Sequence, residues 1–235
     1  MFDTHLHHHE EEHSQSSDML RDIVIGMSDG LTVPFALAAG LSGAIDSTSL
    51  IVIAGLAEVA AGSIAMGLGG YLAGQTEMDH YNSELKREYE EVERVPEVEK
   101  QEVREFFSNL GLSKQVQEQA VNEMTRDKDK WVDFMMKYEL GLDKPDEKRA
   151  RKSAFNIALS YIVGGMVPLS PYFFAKTNTE GLRISTIFTL ISLFIFGYFK
   201  SKMTGVPPIT GALKVVFVGA LAAAAAFGIA RLIEG

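Results

Sequence analysis

The chain has 235 residues, a net charge of −9, a mean hydropathy of +0.06 and no cysteine. The absent thiols exclude disulfides, zinc–thiolate sites and cysteine nucleophiles, and so acidic a chain is not expected to take nucleic acid as a partner. The near-zero hydropathy conceals a segregation of charge, because residues 77–150 hold 20 of the 31 acids and 13 of the 22 bases.

Residues 1–18 form an acidic segment bearing His5, His7, His8, His9 and His13. A charged, His-rich stretch ahead of the first apolar run is not a signal peptide, so a flexible cytoplasmic tail is expected. Its imidazoles could hold a metal weakly, and a tether or tag remnant accounts for them equally well.

The first apolar run, Ile23–Ile45, contains a single acid, Asp29, and a proline, Pro34. Pro34 removes one helical hydrogen bond and predicts a kink. The second run, Ser49–Gly74, spans 26 residues with one charge, Glu58. About 20 apolar residues suffice for a helix to cross the hydrocarbon core. A carboxylate inside such a span is costly and is kept there mainly for an ion or proton path. Glu58, Gly62 and Met66 are spaced by four and share one helical face. A hard carboxylate with a soft thioether suits a borderline divalent cation better than Na⁺ or Mg²⁺. Asp29, Glu58 and Met66 are therefore the candidate path residues. Gly26 with Gly30, Gly70 with Gly74, and Ala36–Gly40–Ala44 are small-residue steps that let helices approach closely, within a protomer or between two.

No break signal follows Gly74, so the second helix is expected to run on through Glu77–Glu93 until Pro96 ends it. Leu85, Val92 and Val95 form its apolar stripe, and Glu88 falls on that stripe. The next helix turns Val103, Phe106 and Leu110 inward, with Glu99 and Glu102 leading into the same face. A third helix begins after Ser113 as N-cap. A fourth covers about Lys128–Leu140, with Trp131, Met135, Tyr138 and Leu142 inward and Gly141 as its stop. Met135, Met136 and Glu139 lie at three- and four-residue spacings. Carboxylates on faces that should be apolar are expensive unless a cation neutralises them. Glu88, Glu91, Glu99, Glu102 and Glu139 with nearby methionine sulfur thus read as one or more metal sites, against the alternative of a solvated acidic surface.

Three further apolar runs follow: Ser153–Ala175, Leu182–Phe199 and Ile209–Ile233. Five spans put the termini on opposite sides. With the N-terminus cytoplasmic, nine bases (Arg21, Lys86, Arg87, Lys148, Arg149, Arg151, Lys152, Lys200, Lys202) flank span ends on that side against three opposite (Lys176, Arg183, Arg231). The expectation is an all-α membrane protein of five transmembrane helices with a cytoplasmic helical metal-binding insert between spans 2 and 3. Its parts are a tail (1–18), spans 1–2 (19–76), the insert (77–150) and spans 3–5 (151–235).

The stretch Ser28–Asp29–Gly30–Leu31–Thr32–Val33–Pro34–Phe35–Ala36 resembles the signature of the vacuolar iron transporter family. So does the second span, from Glu58 through Met66–Gly67–Leu68–Gly69–Gly70–Tyr71–Leu72–Ala73. The paired glutamates and Met135–Met136–Lys137–Tyr138–Glu139–Leu140 are similar to that family's cytoplasmic metal-binding domain. The likeness covers nearly the whole chain after about residue 18, and is strongest to the plant members. It implies a homodimer in the vacuolar membrane, multi-pass, with insert cytoplasmic and C-terminus lumenal. It implies exchange of cytosolic Fe²⁺ for vacuolar protons along a path at the dimer interface lined by Asp29, Glu58 and Met66. It also implies Glu88, Glu91, Glu99, Glu102, Met135, Met136 and Glu139 as the insert's ligands. No prosthetic group is expected. The substrate is Fe²⁺, with Mn²⁺, Co²⁺, Ni²⁺ and Zn²⁺ as further candidate ions, and the partners are lipid, metal ions and protons.

A different class of function, a membrane-anchored ferritin-like protein that stores or oxidises iron, would need the Glu-x-x-His motifs of di-iron bundles. The insert offers no histidine beyond His80, near the membrane. A membrane-anchored metal sensor would not need Asp29 or Glu58 within the bilayer.

Overall fold

The structure, a computed structural model, describes residues 13–234. These residues are helical with no strand, and five helices are long and apolar enough to cross a membrane. They are α1 (His13–Ala44), α2 (Thr48–Arg94), α6 (Arg149–Leu169, extended by a 3₁₀ turn Ser170–Phe173), α7 (Asn178–Met203) and α8 (Pro208–Glu234). Between α2 and α6 lie α3 (Pro96–Asn109), α4 (Lys114–Met124) and α5 (Lys128–Phe134), the last running into a π turn at Met135–Glu139. Because α1 starts at His13, it takes in the end of the segment expected to be a tail. The remainder of that tail, with His5, His7, His8 and His9, lies outside the described residues.

The long second helix is one piece from the apolar run to Arg94. Its end is local in origin. A proline disfavours helical geometry in the residue before it, and Val95 has φ −133° while Pro96 takes the first helical position of α3. The chain divides into two compact units, one holding residues up to Tyr71 with Arg151–Gly235, the other Leu72–Ala150.

In the first unit α1 packs on α6 through glycines. A Cβ on Gly26 would overlap the Ile157 carbonyl and lie 2.8 Å from Ser160 Cβ; one on Gly30 would lie 2.9 Å from Tyr161 Cα. From the α6 side, a Cβ on Gly164 would come within 3.0 Å of the Leu31 nitrogen. Further along, Gly43 of α1 meets Phe227 of α8, and Gly197 of α7 meets Ala212 of α8. The steps at Gly26/Gly30 and Gly40 serve helix contacts within the chain. α1 continues through Pro34, which is buried with Gly165 beside its ring. At the end of α1 the Asn178 amide donates to the Ser42 and Ile45 carbonyls at 3.1 and 2.6 Å, supplying partners that a helix terminus lacks. Large apolar side chains such as Ile64, Phe155, Phe217 and Leu232 stay exposed, as lipid-facing residues do. Gly26→Ala should destabilise this unit by about 1–3 kcal/mol through overpacking, read as a lower melting temperature in detergent.

The second unit has its own core of Tyr81, Val92, Val103, Val121, Trp131, Val132, Phe134, Met135 and Met136. Two residues expected in it are outside. Leu110 is 62% exposed because it is the C-cap of α3, after which Gly111 (φ +80°) turns the chain away. Tyr138 is 52% exposed because the π turn advances each residue by less than an α-helix does, so Met136 turns inward in its place. Ser113 stands at the N-cap of α4 without a side-chain cap bond, whereas Asp127 caps α5 by accepting from Asp129 and Lys130.

Candidate metal centre and membrane acid

In the second unit three helical segments each bring one carboxylate to a common point. Glu88 comes from α2, Glu99 from the first turn of α3 and Glu139 from the end of the π turn. One oxygen of each lies within 4.8 Å of the others. Glu88 is 1% and Glu99 4% exposed, while Glu139 is open to solvent. Pro96 begins α3 three residues ahead of Glu99, and this tight re-entry folds Glu99 back toward Glu88 on the preceding helix. The π turn, closed by the Leu140 amide on the Met135 carbonyl at 3.1 Å, carries Glu139 round to the same point.

The electrostatics are those of an unneutralised site. Burial, followed by repulsion from Glu102, Glu88, Glu139 and Glu91, pushes the Glu99 carboxyl up to about 7 from its ordinary 4.5. Burial, with Glu102 and Glu88 next, pushes Glu139 up to about 7 as well. Glu88 is raised by burial and by Glu91, and the Arg87 guanidinium opposes this. Arg87 is shared, lying 2.7 Å from Glu84, 3.5 Å from Glu91 and 3.9 Å from Glu88. Glu88 Oε2 is buried with no hydrogen-bond partner. A buried, unpartnered carboxylate oxygen is costly unless something positive reaches it. Hard oxygens converging from three segments suit a divalent cation.

The structure thus brings Glu88, Glu99 and Glu139 together and keeps Glu91 and Glu102 within electrostatic reach. Met135 and Met136 are packed in the core, each 1% exposed. Glu99→Gln removes one of the mutually repelling carboxylates. The metal-free protein should then melt higher, and its apparent affinity for a divalent cation should fall about tenfold or more, as read by a titration followed by Trp131 fluorescence.

In the first unit Glu58 is half-buried on α2, and the Tyr161 hydroxyl of α6 donates to its Oε1 at 2.5 Å. Glu58 Oε2 is buried without a partner. Asp29 is half-buried on α1, within electrostatic reach of the same hydroxyl. Met66 is half-buried two turns beyond Glu58 on the same helix. Two residues escaped the sequence reading. One is Tyr161, whose only signal was a phenol within an apolar run. The other is Asp22, the residue before the first apolar run, which is 1% exposed and accepts from Ser153 Oγ at 2.9 Å and Asn156 Nδ2 at 3.5 Å.

The VIT family model matches residues 20–231. Vacuolar iron transporter 1 of Tulipa gesneriana is 52% identical over 229 residues, covering 97% of this chain and 93% of that protein. Vacuolar iron transporter 1 of Arabidopsis thaliana is 51% identical over 231 residues, covering 98% and 92%. Protein CCC1 of Saccharomyces cerevisiae is 38% identical over 223 residues, covering 92% and 69%. With five spanning helices and a match along nearly its whole length, the chain belongs to the VIT family.

Proposed function

We propose that this protein carries Fe²⁺ from the cytosol into the vacuole in exchange for protons, with Mn²⁺, Co²⁺, Ni²⁺ and Zn²⁺ as further candidate substrates. It acts as a transporter and not an enzyme, in the vacuolar membrane, as a homodimer with insert cytoplasmic and C-terminus lumenal. The observation that carries this reading is Glu58. It is the one charge in its span, and one of its carboxylate oxygens is buried with nothing bonded to it. A group so placed favours a passing cation or proton and has little other use.

The insert collects the ion at Glu88, Glu99 and Glu139, with Glu91, Glu102, Met135 and Met136 completing the site. Asp29, Glu58 and Met66 pass it across. Carboxylates bind metal only when deprotonated, so an ion arriving displaces protons and an acidic lumen releases it. The relatives named as vacuolar iron transporters support iron as the substrate. The test is Fe²⁺ uptake into proteoliposomes under an imposed pH gradient. Uptake that rises with an acidic interior and collapses when the gradient is dissipated is expected. Metal binding with no flux would instead favour an iron-storing protein.

A further inference from the structure

Tyr161 joins all three helices around the membrane acids. Its backbone lies against Gly30 of α1, next to Asp29, where a Cβ would fall 2.9 Å from Tyr161 Cα. Its ring lies over Gly62 of α2, where a Cβ would overlap the hydroxyl and come within 2.5 Å of Cζ and 2.7 Å of Cε1. Its hydroxyl ends on Glu58 Oε1, one turn before Gly62. The gap that Gly62 leaves on the helical face between Glu58 and Met66 is filled by this phenol.

A carboxylate on a helix facing apolar surroundings has several rotamers of similar energy, and a hydrogen bond from a fixed donor selects one. The phenol is such a donor, because the Tyr161 backbone is seated against Gly30 and its ring lies against the Gly62 surface. With Oε1 engaged, Oε2 is the oxygen left for another ligand, and it is the one without a hydrogen bond.

We infer that Tyr161 is a positioning residue for transport: its hydroxyl holds Glu58 so that Oε2 faces the cation, and Gly62 is glycine so that the phenol can reach. This rests on the transport reading above. The role belongs to the hydroxyl, not to ring volume, and it predicts a specific kinetic split. A ligand that must be re-oriented for each ion weakens capture, whereas a role in folding alone lowers the amount of working protein.

The test is Fe²⁺ uptake by wild type, Tyr161→Phe and Gly62→Ala in the same proteoliposomes, with initial rates measured across metal concentration. Tyr161→Phe keeps the ring and removes one hydrogen bond to a charged group. KM should rise about tenfold, the change falling on KM and not on the maximal rate. Gly62→Ala leaves Tyr161 in place but pushes its hydroxyl off Glu58, and should raise KM in the same direction. It carries the test if the phenylalanine variant does not fold. A wild-type KM in folded Tyr161→Phe, or in folded Gly62→Ala, overturns the inference. A fall in maximal rate alone, with KM unchanged, also overturns it, since that is the mark of a structural role. Absence of uptake by the wild type would sink the transport reading itself, a result distinct from either.

Discussion

Glu58→Gln abolishes pH-driven Fe²⁺ uptake, reducing the initial rate by about a hundredfold or more, while metal binding by the insert is unchanged. The amide keeps the size of the side chain and can still accept from Tyr161, so the fold survives. What is lost is the charge, and with it both the attraction for a cation in a poorly solvated span and the proton that the cation displaces. Removing one member of a buried charge interaction costs about 3–5 kcal/mol, enough for the expected loss of rate. No other acidic or basic side chain lies in the run Ser49–Gly74 to substitute for it. The control is internal. Trp131 is the chain's one tryptophan and is buried in the insert core, so its fluorescence should respond to metal identically in wild type and variant. Wild-type uptake by Glu58→Gln would remove the basis of the coupling scheme.

The second large effect is a reversal of pH dependence by metal. Glu99 and Glu139 titrate near 7 in the folded protein against an ordinary 4.5, because burial and mutual repulsion disfavour their charged forms. The stability these two groups contribute is therefore full below about 4.5 and is lost as pH rises through about 7. Without metal, the insert transition should move to lower temperature between pH 5.5 and pH 8. A divalent cation needs the deprotonated carboxylates, so its stabilising effect should run the other way, large at pH 8 and small at pH 5.5. At a hundred times its dissociation constant a ligand adds about 2.7 kcal/mol. For a unit of this size that is a shift of roughly 10 °C or more in the Trp131-monitored transition. The measurement is melting of the full chain in detergent, with and without Fe²⁺ or Zn²⁺, at both pH values. Equal metal shifts at pH 5.5 and pH 8 would mean the three carboxylates do not act as one site.

Features that depend on consecutive residues were legible in the chain alone. The five spans follow from runs of apolar residues, and the long α2 from the absence of any breaker before Pro96. Glu58 stood out because nothing around it in the sequence is charged. The acids at 88, 91, 99, 102 and 139 stood out because they occupy or border faces where a helical period predicts apolar residues, and the fold groups three of them, 88, 99 and 139. Each of these is a statement about one helix and its own periodicity, and helical geometry is nearly the same in every protein.

What required the tertiary structure involves partners far apart in sequence or a departure from regular geometry. Periodicity places Tyr138 inward and says nothing of a π turn, yet that turn puts Met136 in the core, leaves Tyr138 exposed and brings Glu139 to Glu88 and Glu99. The convergence depends on the angle at which α3 leaves Pro96 and on packing around Trp131, neither of which a single helix encodes. The small-residue steps in α1 announced close packing without naming the neighbour; the fold supplies α6 and α8. Tyr161 reaches Glu58 across 103 positions of chain, and only because Gly62 leaves room for a phenol. A single apolar run determines that a carboxylate is buried. Which hydroxyl meets it, and which oxygen is left for a ligand, is decided by how three helices cross.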